Sequence, residues 1–406
     1  EMTKHIYCDV VIAGCGVAGL YTALNLPEDL HVLMICKEDM DTCDSMLAQG
    51  GICVLRGEDD YEPYFEDTMR AGHYENRKES VDLMIRTSPG IIRHLLELGV
   101  GFDKNPDGSL KYTKEGAHSR PRICFHEDIT GKAITTVLQE RTAALPNVDI
   151  MEYTVMTDIL TANGACAGIQ ARTRDNSSLF IHARDTVMAT GGIGGLYQHS
   201  TNFPCLTGDA LTVAQKHGVK LEHLDYVQIH PTSLYTEKPG RSFLISESAR
   251  GEGAVLLNGK GERFVNELLP RDAVSQSIEA EMKKEGSCHV WLSFAPIPQK
   301  TILEHFPHIY ETCLEEGYDI TKEPIPVVPA QHYFMGGVWV DLDSRTSMKH
   351  LYAVGETSCN GVHGKNRLAS NSLLESLVFA GKDAKRIENS QKGRIHYESN
   401  YHAAYC

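Results

Sequence analysis

Residues 9–26 read DVVIAGCGVAGLYTALNL. An apolar run leads into Gly14, Gly16 and Gly19 at the spacing G-x-G-x-x-G, and residues 31–37, HVLMICK, form a second apolar run. The stretch predicts a buried strand, a glycine-rich turn, a helix and a second strand. In that setting the glycines, with Val17 and Ala18 between them, permit a tight turn and close backbone approach, while the helix start faces a pyrophosphate. A βαβ unit that binds a dinucleotide is therefore expected, with a plain glycine turn as the competing reading of the motif alone.

Outward from this unit, helices are expected at about 79–98 and 130–144. In the first, Val81, Ile85, Ile92, Leu95 and Leu96 recur at helical spacing, and Pro89 is expected to kink or interrupt it. Residues 165–190 predict a β-meander: CAGIQART, a turn at Asp175–Ser178, then LFIHA and TVMAT. From about Pro231 to Tyr333 the βαβ rhythm is lost, and LYAVGE at 351–356 restores it. The expected fold is α/β, a Rossmann-like nucleotide-binding domain (βαβ with β-meander) interrupted by an α+β capping domain. Its expected divisions are 1–231 and 334–388 for the nucleotide-binding domain, 232–333 for the cap and 389–406 for a polar C-terminal tail.

The formal net charge of −15 argues against a nucleic-acid surface, which needs clustered Lys and Arg. An anionic ligand would need a local basic site. No apolar run approaches the roughly 20 residues that span a bilayer, and no cleavable signal pattern precedes the first strand, so no membrane partner and a cytoplasmic location are expected. The 12 cysteines contain no CxxC pair, which leaves no metal or cluster motif and predicts reduced, mostly buried thiols.

At the end of the second strand, where an acid usually holds the adenosine ribose, stand Lys37 and Glu38. Glu356, in LYAVGETS, sits at a strand end where a carboxylate can accept hydrogen bonds from ribityl or ribose hydroxyls, which favours FAD over a nicotinamide. The helix from about Asn371 aims free N–H groups at whatever lies beside Ser372 and Leu373.

These segments, with SMLAQGGI (45–52), ATGG (189–192), TGDAL (207–211), HPT (230–232), ARGEG (249–253), PRDAVSQSI (270–278), HYFMGGV (332–338) and KNRLASNSLLE (365–375), resemble the fumarate reductase/succinate dehydrogenase flavoprotein superfamily. Within it the chain is most similar to the L-aspartate oxidase family, over residues 8–388 and in the same order. The resemblance implies FAD contacts from Gly14, Gly16, Gly19, Lys37, the stretch Asp44, Ser45, Met46, Leu47, Ala48, Gln49, Gly50 and Gly51, and from Asp209, Glu356, Ser372 and Leu373. Asp44 stands where the membrane-linked members carry a flavin-bonding histidine, so the FAD is expected to be non-covalent. The chain stops soon after the last helix and so departs from longer members with a C-terminal helical domain.

The same resemblance implies that Arg367 clamps a substrate carboxylate, a task suited to a planar fork of donors. His230 and His332, flanking the insert, would hydrogen-bond carboxylates, with a satisfied structural histidine as the bland alternative. Arg271 is expected to touch substrate, and either to transfer a proton or only to orient; its alternative is an ion pair with Asp272 or Glu252. Glu115 would pair with an α-ammonium, helped by His118 three residues on, with an exposed loop acid as the alternative; Gln228, beside His230, is expected in the catalytic set. Ser246 and Glu247 replace the family's Thr-Glu pair, and Ser246 could equally cap a helix. The implied reaction is oxidation of L-aspartate to iminoaspartate with O2 or fumarate as acceptor, in NAD biosynthesis, with quinolinate synthase downstream. The alternatives are a soluble fumarate reductase and a catalytically silent flavoprotein.

Overall fold

A computed structural model describes residues 3–394. Strand β1 (Lys4–Ala13) turns through the glycines into α1 (Val17–Asn25) and β2 (Val32–Ile35). Helices α2 (Glu58–Ala71), α3 (Lys78–Leu98) and α4 (Thr130–Ala143) follow, then strands β3 (Val148–Met151), β4 (Val155–Ala162), β5 (Ala165–Arg172) and β6 (Ser178–Met188). They form one sheet in the order β3-β2-β1-β6-β5-β4, with the short strand Leu351–Ala353 pairing in parallel with the end of β6. The strands β3, β2, β1 and β6 are mutually parallel, whereas β4, β5 and β6 form an antiparallel meander.

Because the parallel strands are covered on both faces, β1 is apolar on both. Val10 and Ile12 pack with Leu20, Leu138 and Leu377, while Val11 and Ala13 pack with Ile169, Ile181 and Ala214. The carboxyl ends of β1, β2, β6 and Leu351–Ala353 then deliver Gly14, Lys37, Ala189 and Gly355 to one edge. A ligand crevice is expected outside such strand ends.

The second layer is an insert. Strand β7 (Val227–Leu234) enters it, α5 (Glu247–Gly251), β8 (Val255–Leu257), α6 (Arg271–Glu285) and β9 (Val290–Ser293) build it, and β10 (Ile325–Phe334) leaves it. Its antiparallel sheet, β7-β10-β9-β8, has its own core of Leu234, Ile245, Leu256, Ile278, Phe294 and Val327. The divisions expected at 231/232 and 333/334 fall inside β7 and β10, so a pair of hydrogen-bonded strands, not two loops, joins the insert to the rest. The last helix, α7 (Ser372–Gln391), returns to the first core.

Four local expectations need correction. Pro89 does not interrupt α3: the Ile85 carbonyl, which loses the N–H of residue 89, accepts the Ser88 hydroxyl at 2.6 Å instead. Leu96 faces outward at 37% exposure, although Val81, Ile85, Ile92 and Leu95 are buried. LFIHA and TVMAT are one strand, β6, and the meander's third strand is β4, earlier in the chain. The last helix overruns residue 388, because Gln391 is buried and its amide donates to Asp9 O (3.1 Å) and Asp185 Oδ2 (2.7 Å). The rest of the expected tail, residues 395–406, lies outside the described residues.

Candidate active site

The crevice is a cavity of about 620 Å³ lined from Lys37 and Glu38 at one end to Arg271 and Arg367 at the other. Its first half is built from backbone. Gly14 takes a φ of +121°, and a Cβ there would lie 1.9 Å from Ala189 O. Gly19 does not line the cavity; a Cβ on it would lie 2.2 Å from Gly14 O, so it serves the packing of α1 on the turn. Gly16, Val17 and Ala18 line the wall, and Gly16 opens α1 without a side-chain cap. Ser45 Oγ accepts the Val17 N–H at 3.1 Å. Asp44, Met46, Leu47, Ala48, Gln49, Gly50 and Gly51 continue the wall, as do Asp209, Glu356, Ser372 and Leu373. Lys37 Nζ is bound by Thr207 Oγ1 (2.9 Å) and Asp209 Oδ2 (3.1 Å) from the TGDAL segment.

This half matches the chemistry of a flavin dinucleotide on observations of its own. Asp44 Oδ2 and Glu356 Oε2 are buried acceptors with no partner among the described residues. Burial pushes the Asp44 carboxyl up to about 7 and, together with Asp44, raises Glu356 well above the usual carboxylate range. Both await hydroxyl donors. Two helix starts, α1 and α7, lack side-chain caps and offer N–H groups to anionic or carbonyl oxygens.

The second half is built from side chains that meet across long separations. Gln228 Oε1 accepts from Arg271 Nη1 (3.1 Å) and from Arg367 Nε (3.3 Å). Its amide nitrogen donates to Asn366 Oδ1 (3.0 Å) and Arg367 O (2.8 Å). Gln228 therefore stands behind the two guanidiniums rather than on the cavity wall, and sets their spacing. Arg367 also donates to Ser372 Oγ (2.8 Å) and lies over the Tyr333 ring at 4.4 Å. Among the described residues Arg367 has no carboxylate within bonding distance, and burial with the neighbouring Arg271 pushes it down to about 10.

Arg271, in the first turn of α6, pairs with Glu247 Oε2 at 3.1 Å, not with Asp272 or Glu252. Asp272 meets His73, and Glu252 meets Thr113 and His305. Glu247 also pairs with the fully buried Arg250 at 3.3 Å. Despite its burial, Arg271 and Arg250 hold Glu247 below the usual carboxylate range.

The two histidines are placed by irregularities in the β7/β10 ladder. Gln228 opposes Tyr333 and Ile229 opposes Gln331, which leaves His332 as the extra, bulged residue facing the cavity. On β7, Pro231 has no N–H for the ladder, and the Thr232 N–H donates to His230 Nδ1 at 3.1 Å. His230 Nε2, the remaining nitrogen, is buried without a partner among the described residues. His230 packs edge-on to His332 at 5.1 Å, just behind the wall. Burial, then Arg271, holds both imidazoles well below their usual pKa, so both are neutral donors. His332 Nδ1 meets Thr201 Oγ1 at 2.6 Å.

Glu115 is 1% exposed, not a loop acid in solvent. Its Oε1 accepts from Ser248 Oγ (2.9 Å) and Ser370 Oγ (2.8 Å), and burial, then Glu247, raises its pKa. Ser246 caps α5, accepting the Ser248 N–H at 3.1 Å, and it also lines the cavity beside Gly50 and Glu115. Residues missed by the sequence reading are Tyr333, Thr201, Ser370, Asn366 and Arg241. The last lines the cavity and carries a positive charge toward Asp44. The only cue for Tyr333 and Ser370 was their place inside quoted motifs, and Arg241 had none.

Among the described residues no helix is long and apolar enough to cross a membrane, and no cluster of His, Cys, Asp or Glu has the geometry to hold a metal. A family model described as an FAD binding domain matches residues 9–373. An L-aspartate oxidase from Clostridium perfringens is 51% identical over 94% of this chain and 87% of its own. One from Neisseria meningitidis is 42% identical over 95% of this chain and 78% of its own. Among solved structures, the FrdA chain of E. coli quinol fumarate reductase, in a mutant form, superposes with a TM-score of 0.89 at 30% identity, over 99% of this chain and 74% of that one. FAD is the cofactor, the fold is that of the fumarate reductase flavoproteins, and the chain belongs to the L-aspartate oxidase family.

Proposed function

We propose that the chain oxidises L-aspartate to iminoaspartate, the substrate losing a hydride from Cα and a proton from nitrogen, with O2 or fumarate as the final acceptor. The observation that carries the reading is the pair of guanidiniums, Arg271 and Arg367, held on one amide oxygen at the cavity, with the buried Glu115 carboxylate on the same wall. A dicarboxylate answers the first feature and an ammonium group the second.

In this reading Arg367 grips one carboxylate and Arg271 faces the other, while His230 and His332 add neutral N–H donors that do not repel the guanidiniums. Glu247 neutralises part of the charge of Arg271 and fixes its plane. Glu115, whose pKa is already raised, pairs with the α-ammonium and takes the proton that the nitrogen gives up; succinate, lacking that group, would leave the buried carboxylate unpaired. Bound FAD supplies the two-electron acceptor for the C–H bond, chemistry that no side chain offers. Its binding is non-covalent, since Asp44–Gly51 contains no histidine. Residues 232–333 act as the cap that excludes water from the substrate; their separate core supports that role. The mostly buried thiols, free among the described residues, support a reducing compartment and hence the cytoplasm, where iminoaspartate would pass to quinolinate synthase in NAD biosynthesis.

The test is turnover of the holoenzyme with L-aspartate and fumarate in the absence of air. Ammonia, from imine hydrolysis, is expected in a one-to-one ratio with succinate. Succinate formed only when an artificial reductant replaces L-aspartate, with no ammonia, would overturn the reading.

A further inference from the structure

His118 is not on the cavity wall, yet it touches both loops that supply the proposed substrate contacts. Its backbone N–H donates to Glu115 O at 3.3 Å, closing a turn in which Ala117 takes a φ of +64°. Its ring, only 3% exposed, has Nε2 at 2.9 Å from Ala369 O and Nδ1 at 2.8 Å from Arg122 Nη1. A guanidinium only donates and a carbonyl only accepts, so a single tautomer satisfies both contacts: Nδ1 bare, Nε2 protonated. Arg122, fully buried, is itself clamped by Asp60 (3.1 and 2.9 Å) and Asp67 (2.8 Å) on α2. The other groups facing the ring are the Cys53 thiol at 3.9 Å and, through charge, Asp67 and Glu247. Burial, then Arg122, pushes His118 down to about 4, consistent with a neutral ring.

On the far side, Ser370 follows Ala369 with a φ of +65°, and its hydroxyl donates to Glu115 Oε1 at 2.8 Å. A closed circuit results: Glu115 carboxylate, Ser370, Ala369, His118, and back to the Glu115 backbone. Arg367 lies two residues before Ala369. A strained residue such as Ser370 persists only where its surroundings over-determine it; the His118 and Glu115 bonds do so together with the Cys53 N–H, which donates to Ser370 O at 3.1 Å, and the Cys53 thiol, which lies 3.6 Å from Ala369 O.

We infer that His118 is a positioning residue for the substrate: it staples the Arg367–Ser370 loop to the Glu115 turn, so that the guanidinium and the carboxylate that contact substrate keep a fixed separation. The inference rests on the aspartate reading above. Misplacement of such groups by about 1 Å is enough to cost roughly 10²-fold in rate.

The experiment compares His118→Leu, which removes the donor to Ala369 O, with His118→Gln, whose amide N–H can replace it. Both are made as FAD-loaded full chains. His118→Leu is expected to raise KM for L-aspartate and lower kcat/KM by about 10²-fold, and to narrow the preference for L-aspartate over succinate, while FAD affinity stays unchanged. His118→Gln is expected to recover most of the loss. A loaded His118→Leu enzyme with the parent KM would overturn the inference. So would parallel losses of FAD affinity and melting temperature that Gln does not repair, which mark a core histidine only. Should His118→Leu not fold, 15N-histidine NMR of the parent decides: a neutral Nε2–H ring from pH 8 to pH 5 is expected, and an imidazolium or Nδ1–H ring contradicts the staple. A parent that does not turn over L-aspartate would instead refute the substrate reading, and the NMR result would still judge the staple.

Discussion

The two halves of the crevice are made by different means. The half assigned to FAD is shaped by backbone: glycine turns, strand ends and two uncapped helix starts, contributed mostly within short segments. The half assigned to substrate is shaped by side chains whose partners lie far apart, as Gln228 and Arg367 do across 139 residues. A backbone site fails when an added atom has nowhere to go, whereas a side-chain site fails by degrees, as spacing and charge are lost. The difference predicts what mutation does to each.

The largest effect is expected at Gly14. A Cβ there meets Ala189 O at 1.9 Å in a backbone region that L-residues avoid, so Gly14→Ala should cost at least about 3 kcal/mol and abolish flavin retention. Flavin content after gel filtration and the melting temperature measure it. A Gly14→Ala protein that stays yellow would break the contrast drawn here.

Next comes Arg367→Met, which keeps bulk and removes the fork. Loss of a buried charge-assisted contact to substrate costs about 2–5 kcal/mol, so kcat/KM for L-aspartate should fall by roughly 30- to 5,000-fold while FAD affinity holds. Equal losses in both would show that the halves are not separable.

Gln228→Leu should be milder. It strips one acceptor from two charged donors, a change worth about 1.5–3 kcal/mol, and the loss should appear mainly as a raised KM.

A fourth effect concerns the pH dependence of apoprotein stability and leaves turnover aside. Asp44 is raised in the folded protein from its ordinary 3.8 to about 7, so the folded state binds more protons than the unfolded state between those values. Apoprotein stability should therefore fall as pH rises through this window, and Asp44→Asn should flatten the fall. Melting curves of the two apoproteins from pH 4 to 8 test the sign; a parent that gains stability relative to Asp44→Asn across the window would contradict it.

The same contrast explains what could be read from the amino-acid order. The glycines, Lys37 and Glu356 sit at strand ends and a helix start, and local pattern locates such places; Asp44–Gly51 came only from the family resemblance. Arg271 and Arg367 were singled out only through the resemblance that PRDAVSQSI and KNRLASNSLLE carry, and their place on the cavity wall is what the fold adds. The bridge through Gln228, the pairing of Glu247 with Arg271, the role of Tyr333 under Arg367 and the burial of Glu115 were not, since each depends on how the insert folds back on the sheet. His332 faces the cavity because β10 has one residue more than β7 at that point, a one-residue offset that no periodicity announces. That α3 runs on through Pro89 has a related reason: the Ser88 hydroxyl that takes the orphaned carbonyl is visible only in place.

The most direct test of the central claim is anaerobic addition of L-aspartate to the purified holoprotein while the oxidised flavin band is followed. Bleaching by L-aspartate and not by succinate is the predicted result. An unchanged spectrum with L-aspartate, in protein that retains its FAD, would contradict the claim that Arg271, Arg367 and Glu115 together bind an amino dicarboxylate for oxidation.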